Sequence, residues 1–302
     1  MMTFGALLGS LELGMIYAVL ALGVFLSFRT LNMPDLTVDG SIVTGMAISA
    51  VICAGGGHPL LALLGAFAGG CLAGLLTGLL HTKLKIQAIL AGILVMMASY
   101  SVNLRIMGKS SVALLRQPVV ISLGNIPMAL LIGVLVAAAV VAVMYWFFGT
   151  ELGCAIRATG NNRKMVRAQG VNTDTMKIIG LVLSNGLVGL AGGLLAQYQG
   201  SANINMGRGA IVIGLAAVII GDVLFARIFH NFALKLVAVV IGAVIYYVVI
   251  QIVLTLGLNS NDLKLFSALV VAVFLAVPYW KGKAFRGKAK AIPAEKEGAP
   301  HA

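Results

Sequence analysis

The stretch ELGCAIRATGNNRKMVRAQGVNTDTMK, residues Glu151 to Lys177, is the one long polar run in an otherwise apolar chain. Hydrophobic segments flank it on both sides, so it reads as a loop held at one face of a membrane-embedded bundle. Composition supports that frame. Of the 302 residues 60% are apolar and only 10% are charged, and mean hydropathy is +1.05. A water-soluble domain has no interior that would bury so much apolar surface, so lipid is the solvent for most of the chain. A net charge of +12 would point to nucleic acid in a soluble protein. In a membrane protein it reflects cations gathered on the cytoplasmic side, and no nucleic-acid partner is expected. Cys53, Cys71 and Cys154 are odd in number and far apart, and the four histidines are scattered, which argues against a disulfide framework or a metal site.

At ~1.5 Å per residue, ~20 residues cross the ~30 Å hydrocarbon layer. Nine runs meet or approach that length: 4–28, 37–54, 60–80, 87–107, 126–148, 179–198, 209–225, 233–256 and 263–280. The predicted fold is therefore all-α and polytopic, with about nine spans (eight to ten). The first run is too long for a signal peptide and MMTFG lacks a basic lead, so it reads as a retained helix. With the C-terminus inside, sixteen Lys and Arg residues fall on the inner side and five on the outer: Arg105, Lys109, Arg116, Arg208 and Lys264. This asymmetry predicts an external N-terminus, and places both the Glu151–Lys177 stretch and the basic tail 281–302 in the cytoplasm. The tail, rich in Ala, Pro and Glu, reads as disordered.

The chain also echoes itself. GSIVTGMA (Gly40–Ala47) matches GAIVIGLA (Gly209–Ala216) at five of eight positions. Four helices precede a single spacer helix and four follow it, which inverts the second half. The pattern predicts a 4+1+4 inverted repeat.

Within the polar stretch, Asn161 to Gln169 has the marks of a short helix. Asn161 or Asn162 serves as the N-cap and Gly170 suits the left-handed residue beyond its end. So short an amphipathic helix needs a surface to lie on. Two surfaces fit: the lipid head groups, or a soluble partner gripped through Arg163, Lys164 and Arg167.

AIRATGNNRKMVRAQGVN (155–172) resembles the cytoplasmic loop of bacterial ABC-importer permeases of the branched-chain amino acid and ribose type. The match is carried by Arg157, Ala158, Gly160, Asn162, Ala168 and Gly170. MPDLTVDGS (Met33–Ser41) is similar to a subgroup associated with tryptophan- or tyrosine-type substrate-binding proteins, which has Phe where this chain has Met33. The resemblance runs from about residue 5 to 280. It implies a type II ABC-importer-like permease domain over 1–280, a cytoplasmic coupling loop over 149–178, and residence in the bacterial cytoplasmic (inner) membrane. It implies that Arg163, Met165, Val166 and Arg167 contact an ABC ATPase subunit, present in two copies. It also implies an extracytoplasmic substrate-binding protein and a permease homodimer or paralogous heterodimer. The chain has no GxxxxGK[ST] motif, so no cofactor is expected on it; ATP and magnesium belong to the partner ATPase.

Charged residues inside the membrane each require a reason. Glu12 in the first span is either a pore-facing carboxylate or a buried partner for Arg208 or for a neighbouring helix hydroxyl. Pro34 breaks the chain, and Asp35 is placed as the N-cap of a helix restarting near Leu36, with Asp39 a turn later at its positive end. The break and the stretch Asn203–Arg208 occupy corresponding places in the two halves. Asn32, Asp35, Thr37, Asp39, Asn203, Asn205 and Arg208 are therefore candidates for the path or its gates, with Asp35 near the cytoplasmic mouth and Arg208 near the external one. Asn185, Gln197 and Gln251 read as interhelical hydrogen-bonding residues, and the glycine series in helix three as a close-packing face. The competing reading is an ion-coupled secondary transporter of a small organic solute, with Glu12 as its carboxylate. No arrangement of catalytic residues points to an enzyme.

Overall fold

A computed structural model describes residues 4–114, 117–121, 126–225 and 231–255, with single positions between 265 and 276. It contains ten α-helices: α1 (Phe4–Val24), α2 (Val38–Ala54), α3 (Pro59–Thr82), α4 (Ala88–Met107), α5 (Ile126–Gly149), α6 (Glu151–Asn161), α7 (Arg163–Ala168), α8 (Thr173–Gln199), α9 (Ala210–Phe225) and α10 (Phe232–Thr255). Two short strands, β1 (Ser111–Ala113) and β2 (Ser201–Asn203), pair antiparallel. Among the described residues six helices are long and apolar enough to cross a bilayer, and α2 and α9 are shorter apolar helices. Most of the ninth run (263–280), the tail from Lys281, Arg116, Arg227 and Lys264 lie outside the described residues.

α8 is the axis of the bundle. Its small residues let backbones approach closely, the device membrane helices use where no hydrophobic effect drives association. A Cβ at Gly70 or Gly74 of α3 would meet Asn185 or Leu181 backbone of α8, so α3 and α8 run antiparallel in direct backbone contact. The glycine series in helix three thus does what its spacing predicts. On another side, Ser41, Gly45 and Ser49 of α2 lie beside Asn185, Gly189 and Gly193 of α8. That constant offset makes α2 parallel to α8. The outer faces of α3, α4 and α5 expose Leu61, Leu72, Leu94 and Leu135, the surface expected of helices bathed in lipid.

α2 and α9 both begin inside the bundle. Asn185 is in the middle of the 27-residue α8, ~18 Å from its start at ~1.5 Å per residue. α2 starts at that level and runs toward the C-terminal end of α8. α9 starts beside Asp39 and runs the other way, reaching Arg29 at the far end of α1, where Arg29 pairs with Asp222 at 3.3 Å. Beyond α1 the helix widens into a π-helical turn, Phe25–Thr30, and the chain leaves it through Asn32 at φ +52. The helix then restarts at Val38 rather than near Leu36.

The polar stretch is helical almost throughout. Thr150 caps α6 by accepting from Gly153 N–H at 3.4 Å, and Gly153, Ile156 and Thr159 turn one face inward. Asn162 caps α7 by accepting from Met165 N–H at 3.2 Å, and Gly170 follows with φ +82. Asn172 caps α8 by accepting from Asp174 and Thr175 N–H. The cap and the glycine are as predicted. α6 was not expected, because its single buried face is hidden in a sequence that reads as polar.

Candidate functional site

The cationic end is built by α6, α7 and the start of α8. At Gly160 any Cβ would collide with the Thr30 carbonyl, so this glycine lets α6 press on the end of α1. The Arg157 guanidinium lies 4.5 Å from the centre of the Phe232 ring. Beside this pair opens a groove of about 820 Å³ whose lining includes Phe25, Arg29, Asn32, Arg157 and Lys235. Asn32 thus lies with the cationic end, apart from Asp35.

One carboxylate organises the junction of α7 and α8. Asp174 lies 3.5 Å from Lys85, 3.5 Å from Arg167 and 3.4 Å from Lys177. Arg167 also donates from Nε to Thr173 Oγ1 at 2.8 Å. Val166 is buried. Arg167 ties α7 to α8 while its side chain stays exposed, and Val166, expected to contact a partner, faces inward because its apolar side chain anchors the helix. The outward face of α7 is Arg163, Lys164, Met165 and Arg167.

In the interior, the break after α1 delivers a polar node. Asp35 Oδ1 accepts from Thr37 N–H at 2.9 Å, and Asp35 Oδ2 accepts from Asn185 Nδ2 at 2.7 Å. Ser41 Oγ donates to Asn185 Oδ1 at 2.7 Å, and the Thr37 and Thr77 hydroxyls are 2.7 Å apart. Asp35 makes an Asx-type turn and is not the N-cap of α2, which is Thr37 without a side-chain bond. It is also not at a mouth. Its bond to Asn185 sets it level with the middle of α8 and buries it, as the cost of an exposed charge in lipid requires.

Asp39 leaves its own helix to cap another. Its Oδ2 accepts from Gly209 N–H at 2.9 Å and its Oδ1 from Ile211 N–H at 2.8 Å. These are amides at the start of α9 that lack intrahelical acceptors. Asp39 and Arg208 line a cavity of about 470 Å³ together with Met96, Tyr100, Asn103 and Ile204, among others. Arg208 is exposed, and Asn103 is buried with neither amide atom hydrogen-bonded.

Toward the other end, Asn203 Oδ1 accepts from Asn205 N–H at 2.9 Å in the turn before α9. Gln197 bridges three segments, donating to Ser49 Oγ and Pro59 O and accepting from Val120 N–H. Asn185 and Gln197 are therefore the interhelical hydrogen-bonding residues their sequence context suggests. Glu12 is buried, without a hydrogen-bond partner for either oxygen, and faces the Tyr198 hydroxyl. Of the two partners expected for it, the structure supplies the helix hydroxyl, while Arg208 lines the cavity beside Asp39.

The candidate path residues thus divide into a cationic groove (Asn32), an interior node (Asp35, Thr37), a cavity (Asp39, Arg208), a turn (Asn203, Asn205) and Glu12 alone. Sequence reasoning missed Ser41, Thr77, Tyr100 and Asn103. Asn103 carried a readable signal, an amide within an apolar helix, while the hydroxyls of Ser and Thr are too common in membrane helices to stand out.

A family model described as "Branched-chain amino acid transport system / permease component" matches residues 6–278. The chain is 38% identical to a tyrosine transport system permease protein of Clostridioides difficile, over 92% of this chain and 93% of that protein. It is 34% identical to an uncharacterized protein of Rickettsia prowazekii, over 89% and 96% of the two chains. It is 26% identical to the ribose import permease protein RbsC of Escherichia coli, over 91% and 86%. No solved structure matches the chain.

Proposed function

The chain belongs to the branched-chain amino acid transport system permease family, and from that premise we propose that it forms the passage of an ATP-driven importer for amino acids, aromatic ones above all. It is a multi-pass protein of the inner membrane and a permease component. The aromatic cargo rests on the MPDLTVDGS stretch and on the likeness to a tyrosine transport permease. Two copies of an ATPase subunit drive it, a second permease of the same or a paralogous kind completes it, and an extracytoplasmic binding protein delivers cargo. The N-terminus is outside and residues 149–178 are cytoplasmic. The repeat is supported by α2 and α9, which start side by side at the level of Asp39 and run in opposite directions. In inverted-repeat transporters such interrupted helices flank the path.

The observation that carries this reading is the exposed Arg163–Lys164–Met165 face of α7, a short helix clamped at both ends and therefore able to transmit a push. Asn162 and Gly170 shape it, Gly160 and Arg157 seat α6 beneath it, and Arg167 ties it to α8. Closure of two ATPase subunits would move this handle and exchange outward for inward access. The test is Arg163→Glu combined with Met165→Ala, scored by capture of the ATPase subunit and by ATP-dependent uptake in proteoliposomes. The expected result is loss of both with the melting transition unchanged. Uptake that persists without any ATPase, is driven by an ion gradient and is abolished by Glu12→Gln would instead establish the secondary carrier.

A further inference from the structure

We propose that the cavity beside Asp39 and Arg208 is a stopping place for the cargo itself, built for a free α-amino acid in its zwitterionic form. The inference rests on the reading of the chain as an amino-acid permease and adds a residue-level site to it. The cavity lies at the level where α2 and α9 begin, midway along the bundle, and its volume of about 470 Å³ falls in the ~300–1,000 Å³ range of small-molecule sites.

Its polar groups are unmet in a way that matches such a ligand. Arg208 lines the cavity with an exposed side chain and makes no ion pair or side-chain hydrogen bond among the described residues, so its guanidinium is open to an anion. Asp39 spends one lone pair on each oxygen at the start of α9, and each oxygen keeps another for an ammonium group. Asn103 is 1% exposed, lines the cavity, and has both amide atoms unpartnered. A buried amide without partners is costly to keep, and a polar ligand beside it removes that cost. Opposite these groups, Met96, Tyr100 and Ile204 offer a soft and aromatic wall for an apolar or aromatic side chain. Arg208 therefore takes the carboxylate, Asp39 the ammonium, and Asn103 a polar atom of the cargo.

The position of the opening agrees with this role. Tyr100 is 45% exposed and Met97 is 65% exposed, so the cavity opens sideways from α4. A face that presents Asp39 and Arg208 at this depth cannot rest against lipid tails.

The experiment is ATP-driven uptake by the complete complex (permease, ATPase subunits and binding protein) in proteoliposomes, with L-tyrosine, L-tryptophan and L-leucine as probes. Arg208→Gln and Asn103→Ala are compared with wild type after melting curves establish that each folds. Association with the ATPase is measured in parallel. The expected result is that Arg208→Gln lowers uptake about tenfold or more, the value of one charge-assisted hydrogen bond. ATPase association stays intact, and inhibition by tyramine, which lacks the carboxylate, gains on inhibition by tyrosine. Variants that fold, transport at the wild-type rate and discriminate against tyramine as wild type does would overturn the site while leaving the permease reading intact. A wild-type complex that imports none of the three amino acids would overturn the reading on which the site rests.

Discussion

Asp39 and Gly209 are 170 residues apart in the chain and are joined by a 2.9 Å hydrogen bond from the Gly209 amide to the Asp39 carboxylate. The bond ties the start of one interrupted helix to the start of another. Each of the two helices leaves unpaired N–H groups in a medium without water. A carboxylate from α2 satisfies those of α9, and the partial positive charge of the α9 terminus in turn stabilises the buried carboxylate.

Replacement of Asp39 by Ala strands the Gly209 and Ile211 amides and is predicted to cost ~1–3 kcal/mol. Asp39→Asn retains one acceptor oxygen and costs less. Thermal melting of the purified variants in detergent orders them wild type, Asn, Ala. Equal melting of all three would show that the bond contributes nothing to stability.

Asn185 holds Asp35 and Ser41 at once. Asn185→Leu removes both bonds and leaves Asp35 Oδ2 and the Ser41 hydroxyl unmet, at ~1–3 kcal/mol for each stranded group. The control is Gln251→Leu in α10, whose side chain makes no hydrogen bond among the described residues and whose replacement is predicted to leave melting unchanged. Folded yield by size-exclusion chromatography separates the two.

A methyl group at Gly45 would meet the Gly189 backbone, whereas one at Gly9 meets nothing. Gly45→Ala is predicted to cost ~1–3 kcal/mol through overpacking. Gly9→Ala, at a half-buried position of α1 with open space beside it, is predicted to be neutral or stabilising by up to ~1 kcal/mol. Melting temperatures that move together for the two variants would count against direct α2–α8 backbone contact.

Arg163 and Arg167 are four residues apart and are predicted to behave differently. Arg167→Ala frees α7 from Thr173 and Asp174 and raises proteolytic cleavage between residues 161 and 172. Arg163→Ala leaves cleavage as in wild type and weakens ATPase capture. Limited proteolysis beside a pull-down assay checks both, and identical profiles would refute the division of labour.

Asn172 caps α8 through two amides. Asn172→Ala is predicted to cost ~1 kcal/mol, while Asn172→Ser preserves most of that stability, as measured by thermal melting.

Much of the architecture was legible without coordinates. Runs of apolar residues mark the helices within a few residues, because lipid leaves the backbone no alternative to internal hydrogen bonding. Pro34 announced the break, Asn162 and Gly170 announced the ends of α7, and the charge asymmetry marked the cationic end. What failed was partner assignment. Asp35 was expected to cap its own helix and instead binds Asn185. Val166 was expected to contact a partner from α7 and is instead buried. Neighbourhood in sequence predicts local bonds, and these bonds are not local.

The order of residues by itself determined that this chain lives in lipid, roughly where its apolar helices run, and which family it resembles, since each follows from hydropathy, caps and local motifs. Only the tertiary structure decided that Asp39 caps α9, that Asp35 joins Asn185, and that Arg208, Asn103 and Tyr100 share one cavity. The reason is physical: a buried polar group takes whichever partner packing brings within about 3 Å, and that partner sits more than a hundred residues away along the chain.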